Sequence, residues 1–212
     1  VYNGEIYNHL KIRKKLIEEF QINFLSSSDT ETLYYALQKY DFEKVLNQIT
    51  GMFAFYYYDS KKNKLYIARD RAGEKPLYLH IGKNFFGISS DIITFKKNNH
   101  DSLKLNDKAI NLYLDYNYIP NPMTIYKNCF KLPPGSLLEL DLQNFKFENL
   151  ENFNQIKKLK YFSFKKWWSV QDEIQKTDYS LNTSIKKINN SLFSIIDKQL
   201  MSDVPIGAFL SS

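Results

Sequence analysis

Four residues near the start of the chain carry groups suited to binding an amino acid. Asn3, Gly4 and Glu5 are consecutive, and Asp29 lies in a second segment that has helix-start signals. An amide side chain, a glycine N–H that a ligand can approach closely and two carboxylates can together surround a zwitterionic amino acid. The first chemistry that these residue types predict is therefore recognition of an amino acid.

The same residues also have a purely structural interpretation. Asn-Gly readily adopts positive φ in a tight turn, so Asn3 and Gly4 are also compatible with a turn between a strand and a helix. Ser28 and Glu31 have the spacing of a capping box. Asp29 is then a first-turn acid that the helix dipole stabilises. The sequence is compatible with both interpretations.

The single cysteine, Cys129, is not a convincing nucleophile. None of His9, His80 and His100 has a triad or metal-ligand spacing with it. We interpret Cys129 as a buried or edge-strand thiol. One cysteine also excludes an internal disulfide framework and a cysteine-based zinc site, and we expect no metal ligand among these residues.

Composition and charge restrict the class of protein. The chain has 212 residues, 43% of them hydrophobic, which is enough for a sizeable core. No apolar run approaches the roughly 18 residues of a membrane span, and no charged-then-apolar leader precedes the first motif. We therefore expect a cytoplasmic protein without a membrane partner. The net charge is +6, but the lysines are dispersed among acidic residues, which argues against a nucleic-acid partner.

Helices are expected to position the first residues, and antiparallel strands follow them. Apolar residues at helical spacing predict a helix after Asn8, and residues 11–15 are interpreted as its solvated face. A strand-like stretch at 22–25 leads to a second helix that begins at Ser28. Further strands are predicted at 52–58, 64–68, 77–80, 85–89, 125–132 and 136–142, helices at 90–95, 107–116 and 181–200, and a last strand at 205–210.

Arg69, Asp70 and Arg71 begin a charged turn that also contains Gly73 and Pro76. A surface ion pair is one interpretation of this cluster. We favour a structural role, in which the cluster braces the loops around the site.

Ordered motifs across nearly the whole chain resemble the amino-terminal glutaminase domain of the glutamine-hydrolysing asparagine synthetases. Such domains are class II glutamine amidotransferases. The motifs occupy residues 3–8, 28–31, 51–55, 68–78, 131–135 and 202–211. Residues 142–178 carry almost none of this signal.

The resemblance implies an α+β fold in two parts. The first is a four-layer αββα sandwich of the N-terminal-nucleophile hydrolase type, expected over residues 1–142. The second consists of the first elements of an α/β domain of the ATP-pyrophosphatase type, expected over residues 179–212. Residues 143–178 are interpreted as a connecting insertion. Because the sequence enters and leaves midway through motifs, we expect both domains to be truncated.

For the first part, the resemblance implies hydrolysis of glutamine. In the family, an amino-terminal cysteine attacks the side-chain amide, with its own α-amino group as the base. Asn3 and Gly4 match the oxyanion hole, and Glu5 and Asp29 match the residues that hold the substrate ammonium. The family's cysteine and the arginine that binds the substrate carboxylate are not in this sequence. The polypeptide as written is therefore expected to be inactive as a glutaminase.

For the second part, the resemblance implies transfer of ammonia to aspartate through β-aspartyl-AMP, with ATP and Mg²⁺. Leu210 and Ser211 match the beginning of the nucleotide-binding loop, whereas Ser212 stands where the family has glycine. The implied partners are glutamine, aspartate and ATP, and a homodimer is compatible with the family. The glutaminase domain itself is expected to bind no cofactor.

Two alternatives stay open. Relatives with the same architecture amidate sugars or close β-lactam and peptide rings, and no residue of this sequence selects aspartate. The other alternative is a glutaminase-dead domain that keeps the fold for binding. The joint presence of Asn3, Gly4, Glu5 and Asp29 argues against it, because a scaffold needs the turn and the cap but not all four identities.

Overall fold

A computed structural model describes residues 1–98, 103–148, 150–175, 178–200 and 204–209. The chain divides into two units. The first consists of Val1–Glu5 and Gly51–Ser169, and the second of Ile6–Thr50 and Val170–Ser212. Strands dominate the first unit, whereas the second is mainly helical.

Two sheets dominate the first unit. The strands are β1 (Tyr2–Ile6), β2 (Gly51–Asp59), β3 (Lys64–Arg69), β4 (Tyr78–Ile81), β5 (Phe86–Ser89), β6 (Cys129–Lys131), β7 (Ser136–Asp141) and β8 (Phe162–Lys166). One sheet has the order β1-β2-β3-β7-β8, and the other has the order β5-β4-β6. Antiparallel pairing joins β2 to β3, β3 to β7, β7 to β8, β4 to β5 and β4 to β6. The hairpins predicted from the aromatic runs are therefore confirmed.

One hydrophobic core connects the two sheets. Ile67 and Leu138 of the first sheet belong to the same buried cluster as Leu79 and Phe130 of the second. Alternating side chains along each strand let one face of each sheet supply this core. The α+β class and the two β layers of the expected sandwich are confirmed. The helices of this unit are α4 (Ile93–Asn98) and α5 (Asp107–Tyr116).

The segment expected to be a connecting insertion contributes to this core. A 3-10 helix, Phe153–Lys158, buries Phe153 and Ile156. Strand β8 then pairs with β7 from Ser136↔Lys166 to Leu140↔Phe162. The Asn- and Lys-rich sequence hides this role because only a few apolar side chains, correctly spaced, fill the core here. The first unit accordingly reaches Ser169, beyond the boundary expected at residue 142.

The second unit is helical. Its helices are α1 (His9–Phe20), α2 (Asp29–Lys39), α3 (Phe42–Gln48), α6 (Val170–Glu173) and α7 (Leu181–Gln199). Helix α1 packs against α2, and α2 packs against α3. Helices α1, α2 and α7 were predicted and are confirmed. Helix α3 was not predicted, although Asp41 caps it by accepting the Glu43 N–H.

Two predicted strands are not formed by the described residues. Residues 22–25 are irregular, because Gln21 ends α1 in a left-handed conformation and Glu31 binds the amides of residues 25 and 26. Residues 205–209 are also irregular. Leu210 and Ser211, which match the nucleotide-binding loop, lie outside the described residues. No described helix is both long and apolar enough to cross a membrane.

Candidate functional site

Asn3, Gly4 and Glu5 lie within strand β1 and not in a turn. Side chains alternate along a strand, so Asn3 and Glu5 project from the same face of β1, and both are exposed. Pairing with β2 overrides the local preference of Asn-Gly for a turn, as the hydrogen bond from the Tyr56 N–H to the Val1 carbonyl (3.0 Å) shows. An amide and a carboxylate thus share one accessible face, with a glycine between them.

Gly4 lies where β1 approaches β2 more closely than a side chain allows. Its φ is +153°, and a Cβ placed on it would lie 2.1 Å from the Met52 carbonyl oxygen and 2.7 Å from the Phe53 Cα. Both contacts are with backbone, which cannot rotate away as a side chain can. Only glycine fits this position, because a Cβ would overlap the backbone of β2.

Asp70 fixes the part of β2 that lies against Gly4. Its backbone N–H donates to the Phe53 carbonyl (2.8 Å), and its carboxylate accepts the Phe53 N–H (3.2 Å). The same buried carboxylate accepts the N–H groups of Gly73 (2.6 Å), Glu74 (2.9 Å) and Lys75 (3.1 Å). One acidic side chain therefore joins the charged turn to the strand behind Gly4.

Arg69 completes this brace. Its guanidinium donates to the carbonyls of Gly73, Lys75 and Leu132, each at 2.7 Å. Arg69 and Asp70 are both buried, so the interpretation as a surface ion pair is wrong, and the two side chains instead brace the charged turn. Arg71 instead lies over the ring of Trp167, at 4.9 Å from its centroid.

In the second unit, Asp29 binds the residue that follows Glu5 in the chain. Its Oδ2 atom accepts the Ile6 N–H at 2.9 Å. Asp29 is the first residue of α2, and the preceding Ser28 caps the helix by accepting the Thr30 N–H at 3.1 Å. A carboxylate at this position is also favoured by the helix dipole. Asp29 thus has both the predicted helix-start role and a contact at the end of β1.

The residues after Ile6 are fixed by the last residue of α3 and by Thr50, two residues beyond it. Tyr7 donates its N–H to the Thr50 carbonyl at 2.8 Å. The Asn8 side chain accepts the Thr50 N–H and donates to the Gln48 carbonyl, both at 2.8 Å. Together with the hydrogen bond from Ile6 to Asp29, these contacts hold the polypeptide at three successive residues, Ile6, Tyr7 and Asn8.

Two residues of α1 were not recognised as part of this region. His9 is buried, its Nδ1 has no hydrogen-bond partner among the described residues, and burial lowers its pKa although Asp29 acts in the opposite sense. Arg13 was interpreted as part of a solvated face, but it donates to Ser28 and Thr32. His9 and Arg13 are four residues apart and share a helix face with buried Ile12 and Leu16, which is the signal that identifies them.

Cys129 is confirmed as a buried thiol. Its side chain is 1% exposed, and burial raises the pKa of the thiol to about 12. A thiol with this pKa has almost no thiolate near neutral pH, and the thiolate is the nucleophilic form. The described residues also contain no group of three or more His, Cys, Asp or Glu side chains placed to hold a metal ion.

Comparison with known proteins identifies a family for most of the chain. The sequence model of a family described as a glutamine amidotransferase domain matches residues 1–152. A protein of Methanocaldococcus jannaschii, named provisionally as a glutamine-hydrolysing asparagine synthetase, is 34% identical over 213 aligned positions, which cover 100% of this chain and 37% of that protein. Asparagine synthetase 1 of Bacillus subtilis, also named as glutamine-hydrolysing, is 27% identical over 213 positions, 100% of this chain and 30% of its own length. The chain therefore spans about a third of the length of these relatives.

Two solved structures align with the chain at lower similarity. Glutamine phosphoribosylpyrophosphate amidotransferase of B. subtilis aligns over 72% of this chain and 29% of its own, with 17% identity and a TM-score of 0.46. A structure described as the allosteric regulatory enzyme of purine biosynthesis aligns over 70% of this chain and 27% of its own, with 18% identity and a TM-score of 0.48.

Proposed function

The chain belongs to the glutamine amidotransferase family, and from this we propose that it binds glutamine and provides part of the site that hydrolyses the glutamine side-chain amide. The observation that carries the proposal is the arrangement of β1. Asn3 and Glu5 share an exposed face, and Gly4 between them has no room for a side chain. A strand of this kind offers donors and a charge to one small ligand.

Asn3 and Gly4 form the oxyanion hole in this proposal. Attack on the amide carbonyl converts its oxygen into an oxyanion, which the Asn3 side-chain N–H and the Gly4 backbone N–H stabilise. Such donors are effective because they are fixed before the charge develops. The support for this role is the bracing of β2 by Asp70, which fixes the strand that packs against Gly4.

Glu5 and Asp29 hold the ammonium group of glutamine in this proposal. An ammonium has three donors and a positive charge, so two carboxylates match both its geometry and its charge. Glu5 is exposed on the face that it shares with Asn3. The support for the role of Asp29 is the 2.9 Å hydrogen bond that its carboxylate accepts from the N–H of Ile6, the residue directly after Glu5.

The nucleophile is not supplied by Cys129. This cysteine is the single one in the 212 residues, it is buried, and its raised pKa keeps it protonated. We propose that a polypeptide of these 212 residues alone releases no glutamate from glutamine above the background rate.

The reaction that uses the released ammonia is the more specific part of the proposal. The names of the relatives support an asparagine synthetase. In this proposal the aspartate side chain attacks the α-phosphate of ATP, bound with Mg²⁺, to form β-aspartyl-AMP with release of pyrophosphate, and the ammonia from glutamine then displaces AMP. The residues matched to the nucleotide loop, Leu210 and Ser211, lie outside the described residues. This half of the proposal therefore rests on the similarity to the relatives.

The test uses the complete protein that contains this chain. The purified protein is incubated with glutamine, aspartate, ATP and Mg²⁺, and glutamate and asparagine are quantified by chromatography. We expect both products, and Asn3→Ala should lower kcat for glutamate release by about 10²–10³-fold. Asn111→Ala, an exposed change on α5, is the matched control. Absence of glutamate from the unmodified protein contradicts the proposal, and glutamate without asparagine points to another acceptor.

A further inference from the structure

We propose that Arg13 and Glu31 are positioning residues that set Asp29 for recognition of the substrate ammonium. They do so by fixing the loop of residues 25–28, from which α2 begins. This inference rests on the proposed role of Asp29 in binding glutamine. It concerns the second unit alone, in which all of these residues lie.

Arg13 binds the carbonyl groups of the loop. Its guanidinium donates to the carbonyl oxygens of Ser26 and Ser28, the latter at 2.7 Å, and its Nε donates to the Thr32 hydroxyl at 3.1 Å. The guanidinium carbon also lies 4.2 Å from the centroid of the Phe24 ring, within the range of a cation–π contact. The five N–H donors of the planar guanidinium are fixed in a fork, which can hold several acceptors in one geometry, whereas the three donors of a lysine ammonium rotate freely.

Glu31 binds the amide groups of the same loop. Its two carboxylate oxygens accept the N–H groups of Leu25 (2.9 Å) and Ser26 (2.7 Å), and one of them also accepts the Ser26 hydroxyl (2.7 Å). The hydrogen bond from the Leu25 N–H and, to a smaller extent, the one from the Ser26 hydroxyl lower the pKa of Glu31, so the side chain stays ionised. A capping box would direct this glutamate to the N–H of Ser28, but here Ser28 donates to the Ser26 hydroxyl instead.

The two side chains therefore bind complementary backbone groups of one irregular segment. A cation holds its carbonyls and a carboxylate holds its amides, so the loop has one favoured conformation without regular secondary structure. The loop ends at Ser28, which caps α2, and the next residue is Asp29. Because a carboxylate displaced by about 1 Å can cost a reaction about 10²-fold, fixing this loop fixes the contribution of Asp29 to binding.

A purely structural role and a positioning role predict different substrate dependences. If Arg13 and Glu31 set Asp29, their loss should weaken the binding of glutamine but not of 5-amino-5-oxopentanoate, the analogue that has no α-ammonium group. If they only stabilise the packing of α1 on α2, kcat/KM should fall by the same factor for both substrates. The informative quantity is the ratio of kcat/KM for glutamine to kcat/KM for the analogue.

The experiment compares Arg13→Gln and Glu31→Gln with the unmodified complete protein, by measuring glutamate or the corresponding diacid released from each substrate. We expect the kcat/KM ratio to fall about tenfold or more in both variants, mainly through a higher KM for glutamine, with kcat changed less. Lys15→Gln on the exposed side of α1 and Glu18→Gln are the charge-matched controls and should leave the ratio unchanged. Glu31→Gln keeps the shape of the side chain, so it provides the test if Arg13→Gln does not fold.

An unchanged ratio in soluble, folded variants overturns this inference while leaving the proposed function intact. A protein that releases no glutamate from glutamine before any substitution overturns the proposed function, and this inference with it. Equal losses for both substrates show that the pair has only a structural role.

Discussion

At the scale of single residues, the candidate site depends on a position where no side chain is tolerated. Gly4 combines a φ of +153° with backbone of β2 at less than contact distance from a Cβ. Asp70 holds the other side of that contact through hydrogen bonds to the Phe53 N–H and carbonyl of β2. The strand therefore cannot relieve a clash by moving, because its neighbour is fixed as well.

Substitution of this glycine is expected to be costly. Gly4→Ala should lower the free energy of unfolding by about 2–4 kcal/mol, since it adds backbone strain and an overlap with the Met52 carbonyl. Urea denaturation followed by circular dichroism measures the change. Gly207→Ala is the matched control, because a Cβ there meets nothing within 4 Å. Equal stability of the two variants would contradict the close approach of β1 and β2.

Removal of one carboxylate should affect binding more than turnover. Glu5→Gln keeps the shape of the side chain but loses its charge, so we expect KM for glutamine to rise about tenfold while kcat changes less. Steady-state glutamate release by the complete protein gives both constants. Glu18→Gln removes a charge from an exposed, weak ion pair on α1 and should leave KM unchanged. If kcat falls and KM stays constant, Glu5 does not hold the ground-state ammonium.

At the scale of elements, the 3-10 helix and β8 extend the core beyond the motifs that resemble the family. Phe153 and Ile156 are buried in the cluster that joins the two sheets. Strand β8 lies at the edge of its sheet and has exposed lysines, Lys165 and Lys166, which oppose pairing with another chain. A segment with little sequence signal thus closes one side of the sandwich.

Truncation of a core residue in this segment tests its role. Ile156→Ala should lower the free energy of unfolding by about 2–4 kcal/mol, because it leaves a cavity beside fully buried side chains. Chemical denaturation is again the measurement. Ile174→Ala, at a position that is 69% exposed, removes the same atoms without a cavity and should cost little. If both changes cost the same, residues 153–158 do not belong to the core.

Local sequence patterns predicted helices and strands correctly where the local pattern and the tertiary packing agree. The bounds of α5 were predicted at 107–116 from its apolar residues and the prolines that follow, and the structure has the same bounds. Asn106 caps this helix, and Asn117 ends it in a left-handed conformation. Asn3 and Gly4 show the opposite case, since a strong turn preference is overridden by pairing with β2. Pairing partners are distant in sequence, so no local pattern could reveal them. Of the candidate site, the identities of Asn3, Gly4, Glu5 and Asp29 came from motifs, and a bracing role for the cluster that contains Asp70 was predicted, whereas the backbone groups that Asp70 binds become visible only in the fold.

At the scale of the whole molecule, α7 has an apolar face that the described residues leave exposed. Ile185, Ile188 and Leu192 are spaced at three and four residues, and each is 48–58% exposed. Helices with this pattern usually bury the apolar face. The helical pattern was predicted from sequence, but the exposure of its face was not.

This exposure has a measurable effect on the polypeptide of 212 residues. We expect it to bind the dye 8-anilinonaphthalene-1-sulfonate, because contiguous exposed apolar side chains offer the dye a surface. The double substitution Ile188→Lys and Leu192→Lys should reduce the fluorescence, while Asn189→Lys and Asn190→Lys, which add the same charge at exposed polar positions, should not. Equal fluorescence of the two double variants would show that the dye binds elsewhere.

The contacts that fix residues 6–8 also set the order in which the chain can fold during synthesis. Asn8 is bound to Gln48 and Thr50, which are 40 and 42 residues away. At a translation rate of about 5–20 residues per second, Thr50 is added about 2–8 s after Asn8. The strand that carries Asn3, Gly4 and Glu5 is thus among the first parts of these residues to leave the ribosome. It must wait for a much later segment before the turn that follows it takes its final shape.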